Sequence, residues 1–249
     1  MNPRRTAGAA VASTATAGRA DDDGIAPVVE VLTPGAQAMS GAQHAAAVDD
    51  ELALLYPDAH CALVHADPFQ LLIATVLSAQ TTDARVNTVT PELFTRYPDA
   101  AALAGARRED LEEILRPLGF QRAKAGHLLG IGAELTERFG GEVPRTREEL
   151  VALPGVGRKT ANVVLGNAFG VPAITVDTHV GRLSRRLGWT TSKDPVRVER
   201  DIASLWDPER WTDGCHRLID HGRAVCTARA PRCQECALLA AGLCPQAGL

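Results

Sequence analysis

A chain of 249 residues that is 45% hydrophobic can bury a substantial core, in one large domain or two modest ones. No apolar stretch approaches the ~20 residues that a membrane-spanning helix needs, which excludes a membrane-embedded protein. A net charge of −4 argues against a nonspecific polyanion binder, and an aromatic content of 4% argues against a stacking platform for single-stranded nucleic acid.

Residues 1–45 are rich in Ala, Gly and Thr, carry the block Asp21-Asp22-Asp23 and show no sustained periodicity, a composition that predicts a disordered tail. Arg4-Arg5 ahead of an alanine-rich stretch has the outline of a twin-arginine export signal. The stretch lacks Leu, Ile and Phe, which argues against export. Beyond it the apolar periodicity is helical nearly throughout, and no alternating strand pattern of useful length occurs, so the predicted architecture is all-α. Leu71 to Leu77 is hydrophobic on every side and reads as a buried helix. The polar run Ser78-Ala79-Gln80-Thr81-Thr82-Asp83 leaves that helix as a loop. Leu128, Ile131, Leu135 and Phe139 form the stripe of a further helix.

The most specific local signal is Leu153-Pro154-Gly155-Val156-Gly157-Arg158-Lys159-Thr160. Two glycines around one apolar residue permit a tight turn and close approach of main-chain N–H groups to a ligand. Ala161, Val164, Leu165 and Ala168 then recur at helical spacing until Gly170 and Pro172 end the run. The glycine turn therefore opens a helix, where unpartnered N–H groups and the positive end of the macrodipole suit a phosphate oxygen.

Lys159 falls in the first turn of that helix. An ordinary lysine, with a reference pKa near ~10.4, is almost wholly protonated at neutral pH and is then a poor nucleophile. A positive helix end, partial desolvation and a neighbouring arginine such as Arg158 all favour the free amine. Asp177, in Val176-Asp177-Thr178-His179 eighteen residues past the lysine, is suited to take the amine's proton or to stabilise charge developing on a sugar. Each residue alone has an ordinary alternative: a first-turn lysine as a solvated phosphate contact, and an Asp before Thr-His-Val as an N-cap. The chain has 23 Arg and only 3 Lys, so a plain positive charge is usually written here as Arg, and only lysine forms a Schiff base.

Arg182, Arg185 and Arg186 lie on a helix whose apolar side is Val180, Leu183 and Leu187, as phosphate contacts or as a solvated face. Residues 145–249 hold 15 basic and 11 acidic side chains, the one net-positive third of the chain. That third ends in Cys226, Cys233, Cys236 and Cys244, a C-x6-C-x2-C-x7-C array that implies a metal centre rather than disulfides. Zinc and an iron-sulfur cluster both remain open on spacing alone. Cys61 and Cys215 read as isolated buried thiols, and this cysteine usage fits a reducing cytosol.

With the hairpin, the VDTH element and the cysteine array in view, the sequence over residues 48 to 245 resembles the endonuclease III family of helix-hairpin-helix DNA glycosylases with AP lyase activity. The resemblance implies a six-helix barrel domain at 61–171 and a discontinuous iron-sulfur domain joining 46–60 to 172–249, with DNA in the cleft between them. It implies Lys159 as the nucleophile at the sugar C1′ and Asp177 as its helper, followed by β-elimination. It decides for a 4Fe-4S cluster on Cys226, Cys233, Cys236 and Cys244. The family's loop is C-x6-C-x2-C-x5-C, so this chain is two residues longer between its last two ligands.

The same resemblance makes the cluster mainly structural, presenting Arg229 and Arg232 to DNA. It gives Gln80 the role of filling the gap left by the flipped-out nucleotide. Phe120, in Gly119-Phe120-Gln121-Arg122, stands where the family has an apolar wedge, usually leucine; its alternative is a core aromatic. DNA-binding residues are then Gln80, Phe120, Gly155, Val156, Gly157, Arg158, Arg229 and Arg232. The implied protein is a monomeric, cytoplasmic, nucleoid-associated repair enzyme. Its substrate is duplex DNA with an oxidised pyrimidine or an abasic site. The alternatives are a monofunctional mismatch glycosylase, against which stands the lack of Asp or Glu in Pro68 to Gln80, and a non-catalytic iron-sulfur DNA-binding module.

Overall fold

The computed structural model describes residues 39–246, and its regular elements of more than a single bridge are all helices. They run α1 (Gly41–Leu55), α2 (Pro68–Leu77), α3 (Asp83–Arg96), α4 (Ala100–Ala104), α5 (Arg108–Leu115), α6 (Gln121–Phe139), α7 (Arg147–Val151), α8 (Arg158–Phe169), α9 (Thr178–Arg186), α10 (Pro195–Ala203), α11 (Trp211–Ala224) and α12 (Ala237–Ala240). The expectation of a disordered tail on residues 1–38 lies outside the described residues. Its last stretch is corrected: residues 41–45 are helical. Ser40 Oγ accepts from the Gln43 amide and Gln43 Oε1 accepts from the Ser40 amide, a reciprocal cap that starts α1 inside the alanine-rich run. His44 and Ala45 are already buried there.

The helices enclose two hydrophobic cores. One runs from Leu63 to Ala173 and is built from α2 to α8; the other joins Ala45, Val48 and Leu52 of α1 to residues 174–238. Seven helical segments surround the first core, because Gly105 closes the five-residue α4 before α5 begins. α2 is buried on all sides, and Asp67 caps its start with Pro68 in the first turn. It packs on α8, and α6 packs on α4 and α5. Ala161, Val164, Leu165, Leu128, Ile131 and Leu135 all face this core, as their helical spacing predicts.

In the second lobe α11 packs on α1 and α9. Asp49, 1% exposed on its side chain, accepts from Arg210 and Arg217 at 2.8 Å each and so pins α1 to the start of α11. A carboxylate this deep is tolerable only because two guanidinium groups neutralise it.

Candidate active site

The glycine turn predicted from sequence is present. Gly157 is the N-cap of α8, and Gly155 has φ +74°, the left-handed region that glycine enters at least cost. A Cβ on Gly155 would also stand 2.6 Å from Nδ1 of His127, so two constraints fix glycine at this position. Around Gly157 a Cβ would meet nothing within 4 Å, which leaves open space above the helix N-terminus. Val156 is buried and its amide donates to the Leu153 carbonyl, so its side chain anchors the turn in the core. Its predicted share in ligand binding is therefore limited to the turn it supports.

Lys159 follows in the first turn of α8 and is exposed to a cleft of about 620 Å³. Asp177 lines the same cleft. Asp177 is the N-cap of α9, its Oδ1 accepting from the amides of His179 and Val180 at 2.8 Å, and from that position it also lines the cavity beside Lys159. One turn beyond the lysine, buried Asn162 donates to the Ile174 carbonyl at 2.7 Å. That bond ties the lysine's helix to the segment that carries Asp177.

Arg158, its side chain 43% exposed, is paired within the protein. It makes two bonds to Glu199 of α10, at 2.7 and 2.8 Å, and this partner raises its affinity for its proton. Arg147 approaches the same carboxylate at 3.5 Å, so Glu199 clamps α7 and α8 to the second lobe.

The remaining cleft residues were not legible as site residues in sequence. Asp83, at the start of α3, meets Arg223 of α11 at 2.8 Å, an ion pair between the lobes. His216 bonds Asn167 Oδ1 at 2.7 Å, and burial holds its imidazole below the usual range. His60, His179 and Cys61 also line the cleft. Cys61 is half-buried rather than a core thiol, whereas Cys215 is buried and its thiol is pushed up to about 12. VDTH supplies two lining residues at once, so His179 was within reach of the motif. The others come from elements with no local signature.

Gln80 and Phe120 both occupy loop tips with left-handed backbone, at φ 55° and 52°. Phe120 is 63% exposed, which removes the core-aromatic alternative. It precedes α6 directly, and Gln80 follows α2.

Cys226, Cys233, Cys236 and Cys244 line one small cavity with Leu183, Arg186 and His221. Among the described residues no group of three or more His, Cys, Asp or Glu is arranged to hold a single metal ion. Arg186 donates to Cys226 Sγ at 3.2 Å and to the Thr227 carbonyl at 2.8 Å. Arg182 donates to the Cys226 carbonyl at 2.9 Å and to that of Gly222 at 2.9 Å. Both arginines thus leave the alternatives posed for them: they hold the cysteine loop, while Arg185 reaches the Ser192 carbonyl. Arg229 is exposed. Arg232 is exposed as well but is engaged by the Ala224 carbonyl and by Glu235 at 3.2 Å.

The helical lobes, the glycine turn and the shared cleft of Lys159 and Asp177 agree with the family model of the HhH-GPD superfamily of base excision DNA repair proteins, which matches residues 73–208. Endonuclease III of Synechocystis sp. is 56% identical over 194 residues, 78% of this chain and 88% of that protein. Endonuclease III of Bacillus subtilis is 49% identical over 191 residues, 76% of this chain and 87% of its own length, and that of Escherichia coli K12 43% over 169 residues, 68% and 80%. Solved structures of a non-covalent endonuclease III–DNA complex and of a trapped covalent endonuclease III–DNA intermediate each superpose with a TM-score of 0.78, at 48% identity over 84% of this chain and 97% of theirs. A thermostable thymine-DNA glycosylase at 22% identity, with a TM-score of 0.73, shares the fold.

The chain belongs to the HhH-GPD superfamily and, within it, to the endonuclease III family. It is accordingly an enzyme, a DNA glycosylase with AP lyase activity.

Proposed function

We propose that this protein excises oxidised pyrimidines from duplex DNA and nicks the resulting abasic strand, with Lys159 as nucleophile and Asp177 as its helper. The observation that carries the reading is that both side chains face one cleft of about 620 Å³ between the lobes. The relatives in complex with DNA, one of them trapped covalently, support the same reading.

In this scheme the uncharged Lys159 amine forms a bond to C1′ as the C1′–N bond to the base breaks. The base leaves with the bonding pair and takes up a proton. Asp177, fixed by two amides on Oδ1, stabilises positive charge on the sugar and accepts the proton that the lysine nitrogen gives up. The C1′–O4′ bond then breaks as the nitrogen lone pair forms the C1′=N bond of an iminium, and O4′ takes up a proton. Removal of a C2′ proton then expels the 3′-phosphate, and water releases Lys159.

The hairpin amides around Gly155 and Gly157 hold a backbone phosphate, aided by the open space at Gly157. Gln80 and Phe120 enter the duplex where the nucleotide leaves it. We divide the chain into 61–171 and 46–60 with 172–249; the two cores support this division, with Ala173 packed in the first and Ala45 in the second.

The four cysteines suit a 4Fe-4S cluster: an all-thiolate donor set around one cavity, with an arginine N–H already aimed at a sulfur. The cluster supplies a cross-link that shapes the loop and takes no part in bond breaking. Arg229, and Arg232 through the loop it braces, then meet the DNA backbone. No helix among the described residues is long and apolar enough to cross a membrane, and we read the protein as a nucleoid-associated cytoplasmic monomer.

Borohydride trapping on duplex DNA with an oxidised pyrimidine tests the assignment. Wild type should give a covalent enzyme–DNA complex and a nicked strand, and Lys159→Ala neither. A complex that persists in Lys159→Ala ends the assignment. Excision without nicking by wild type would restore the monofunctional alternative.

A further inference from the structure

Lys124 is a lysine that the scheme above does not use, and its surroundings are unusual. It lies in the first turn of α6 with only 4% of its surface exposed. Its Nζ donates to Thr81 Oγ1 at 2.8 Å and to the Leu118 carbonyl at 3.1 Å, both neutral partners. Thr81 Oγ1 itself donates to the Leu118 carbonyl at 2.9 Å, which closes a triangle. A buried cation without a counter-ion is unfavourable, and burial lowers this ammonium's hold on its proton. A methionine of similar length would fill the space without that cost, so lysine is not there for packing.

The triangle joins two loops that are distant in sequence. Thr81 directly follows Gln80, and Leu118 stands two residues before Phe120. Both loops are left-handed, at Gln80, Gly119 and Phe120, a conformation that non-glycine residues hold only with outside support. The Lys124 amide donates to the Phe120 carbonyl at 3.0 Å, so the same residue begins α6 beneath the exposed ring. Among the described residues this triangle supplies the hydrogen bonds that join the segment after Gln80 to the segment before Phe120.

We propose that Lys124 is a positioning residue for nucleotide extrusion, holding the Gln80 and Phe120 loops in register so that both side chains enter the duplex together. This rests on the reading that those two residues insert into DNA.

The test uses the full-length protein and a duplex with a tetrahydrofuran abasic analogue opposite 2-aminopurine, whose fluorescence reports unstacking. Saturation is checked by anisotropy. Gln80→Ala and Phe120→Ala should each reduce the fluorescence change of wild type. If neither does, the insertion reading fails and the proposal with it.

Where they do, Lys124→Met should reduce the change as well and slow single-turnover excision about tenfold on duplex, with a smaller loss of imine trapping on a single-stranded abasic oligonucleotide. Its effect should shrink when combined with Phe120→Ala, since both act on one step. Lys124→Met leaves the Thr81–Leu118 bond in place and should keep the wild-type melting temperature. Should it instead fail to fold, Thr81→Val breaks the triangle from the other end and Thr81→Ser, which keeps the hydroxyl, restores function. The proposal is overturned if the variant that folds keeps the wild-type fluorescence change, if its loss adds in full to that of Phe120→Ala, or if single-stranded and duplex substrates suffer equally.

Discussion

The lobe built on α2 to α8 has a core that is aliphatic almost throughout, from Leu71, Leu72 and Ile73 to Leu128, Ile131 and Leu135, whereas the lobe built on α1 and α9 to α12 contains all three tryptophans of the chain and buries Asp49 and Arg186. In the second lobe much of the cohesion is directional. Trp189 Nε1 donates to His44, Trp206 Nε1 donates to the Ala45 carbonyl, and Arg182 and Arg186 hold the cysteine loop by its carbonyls. Aliphatic packing is nearly independent of pH, but a lobe of hydrogen bonds, ion pairs and thiols responds to each one lost. The proposed catalytic pair draws on both: Lys159 stands on a helix of the first core, and Asp177 begins a helix of the second.

The largest effect should come from the cysteines. If the proposed cluster is bound, Cys236→Ala, or removal of the cluster's iron by a chelator, is expected to cost on the order of several kcal/mol, because ligand binding and local folding are then one equilibrium. Hydrogen exchange should then lose protection through residues 174–240 and keep it through 63–173. Uniform loss across both lobes would erase the contrast.

Asp49→Ala comes next. Arg217 loses its carboxylate partner and Arg210 keeps only Asp50, so a destabilisation of about 3 to 5 kcal/mol is expected in urea titration. Leu128→Ala, in the aliphatic lobe, should cost about 2 to 5 kcal/mol by leaving a cavity. The two variants differ in cause rather than in size. Added salt should narrow the deficit of Asp49→Ala only slightly, because a carboxylate 1% exposed is weakly screened, and leave that of Leu128→Ala unchanged.

Much of this arrangement is readable in the amino-acid sequence where the signal is local. The glycine turn, the helical stripe after it and the spacing to Asp177 each obey a short-range rule, and the cysteine array is dense enough to bring its four thiols to one cavity. What escaped was decided by partners far along the chain. Nothing near Arg186 tells that it meets the Thr227 carbonyl, 41 residues on, instead of solvent. Arg158 reads as a phosphate contact until α10 brings Glu199 to it. Lys124 carries no local signal, because its burial comes from two loops folding over it. The start of α1 was hidden for the opposite reason: its cap lies in an alanine-rich run whose composition resembles a tail.

His216 offers the smallest and most selective probe, since it belongs to the polar lobe yet faces the cleft. Burial depresses its pKa from the ordinary 6.5, and its bond to Asn167 Oδ1 requires a proton on only one ring nitrogen. As pH falls below about 6.5 the unfolded chain takes up a proton that the native imidazole refuses until a lower pH. The unfolded state then binds more protons, so stability declines with falling pH across that window. His216→Gln, which keeps a donor for Asn167 and does not titrate, should flatten the curve below about pH 6.5. Thermal melts of the two proteins over this range check it: parallel curves would mean that the imidazole is as well solvated in the cleft as in the unfolded chain, and that the polar lobe's sensitivity to acid arises elsewhere.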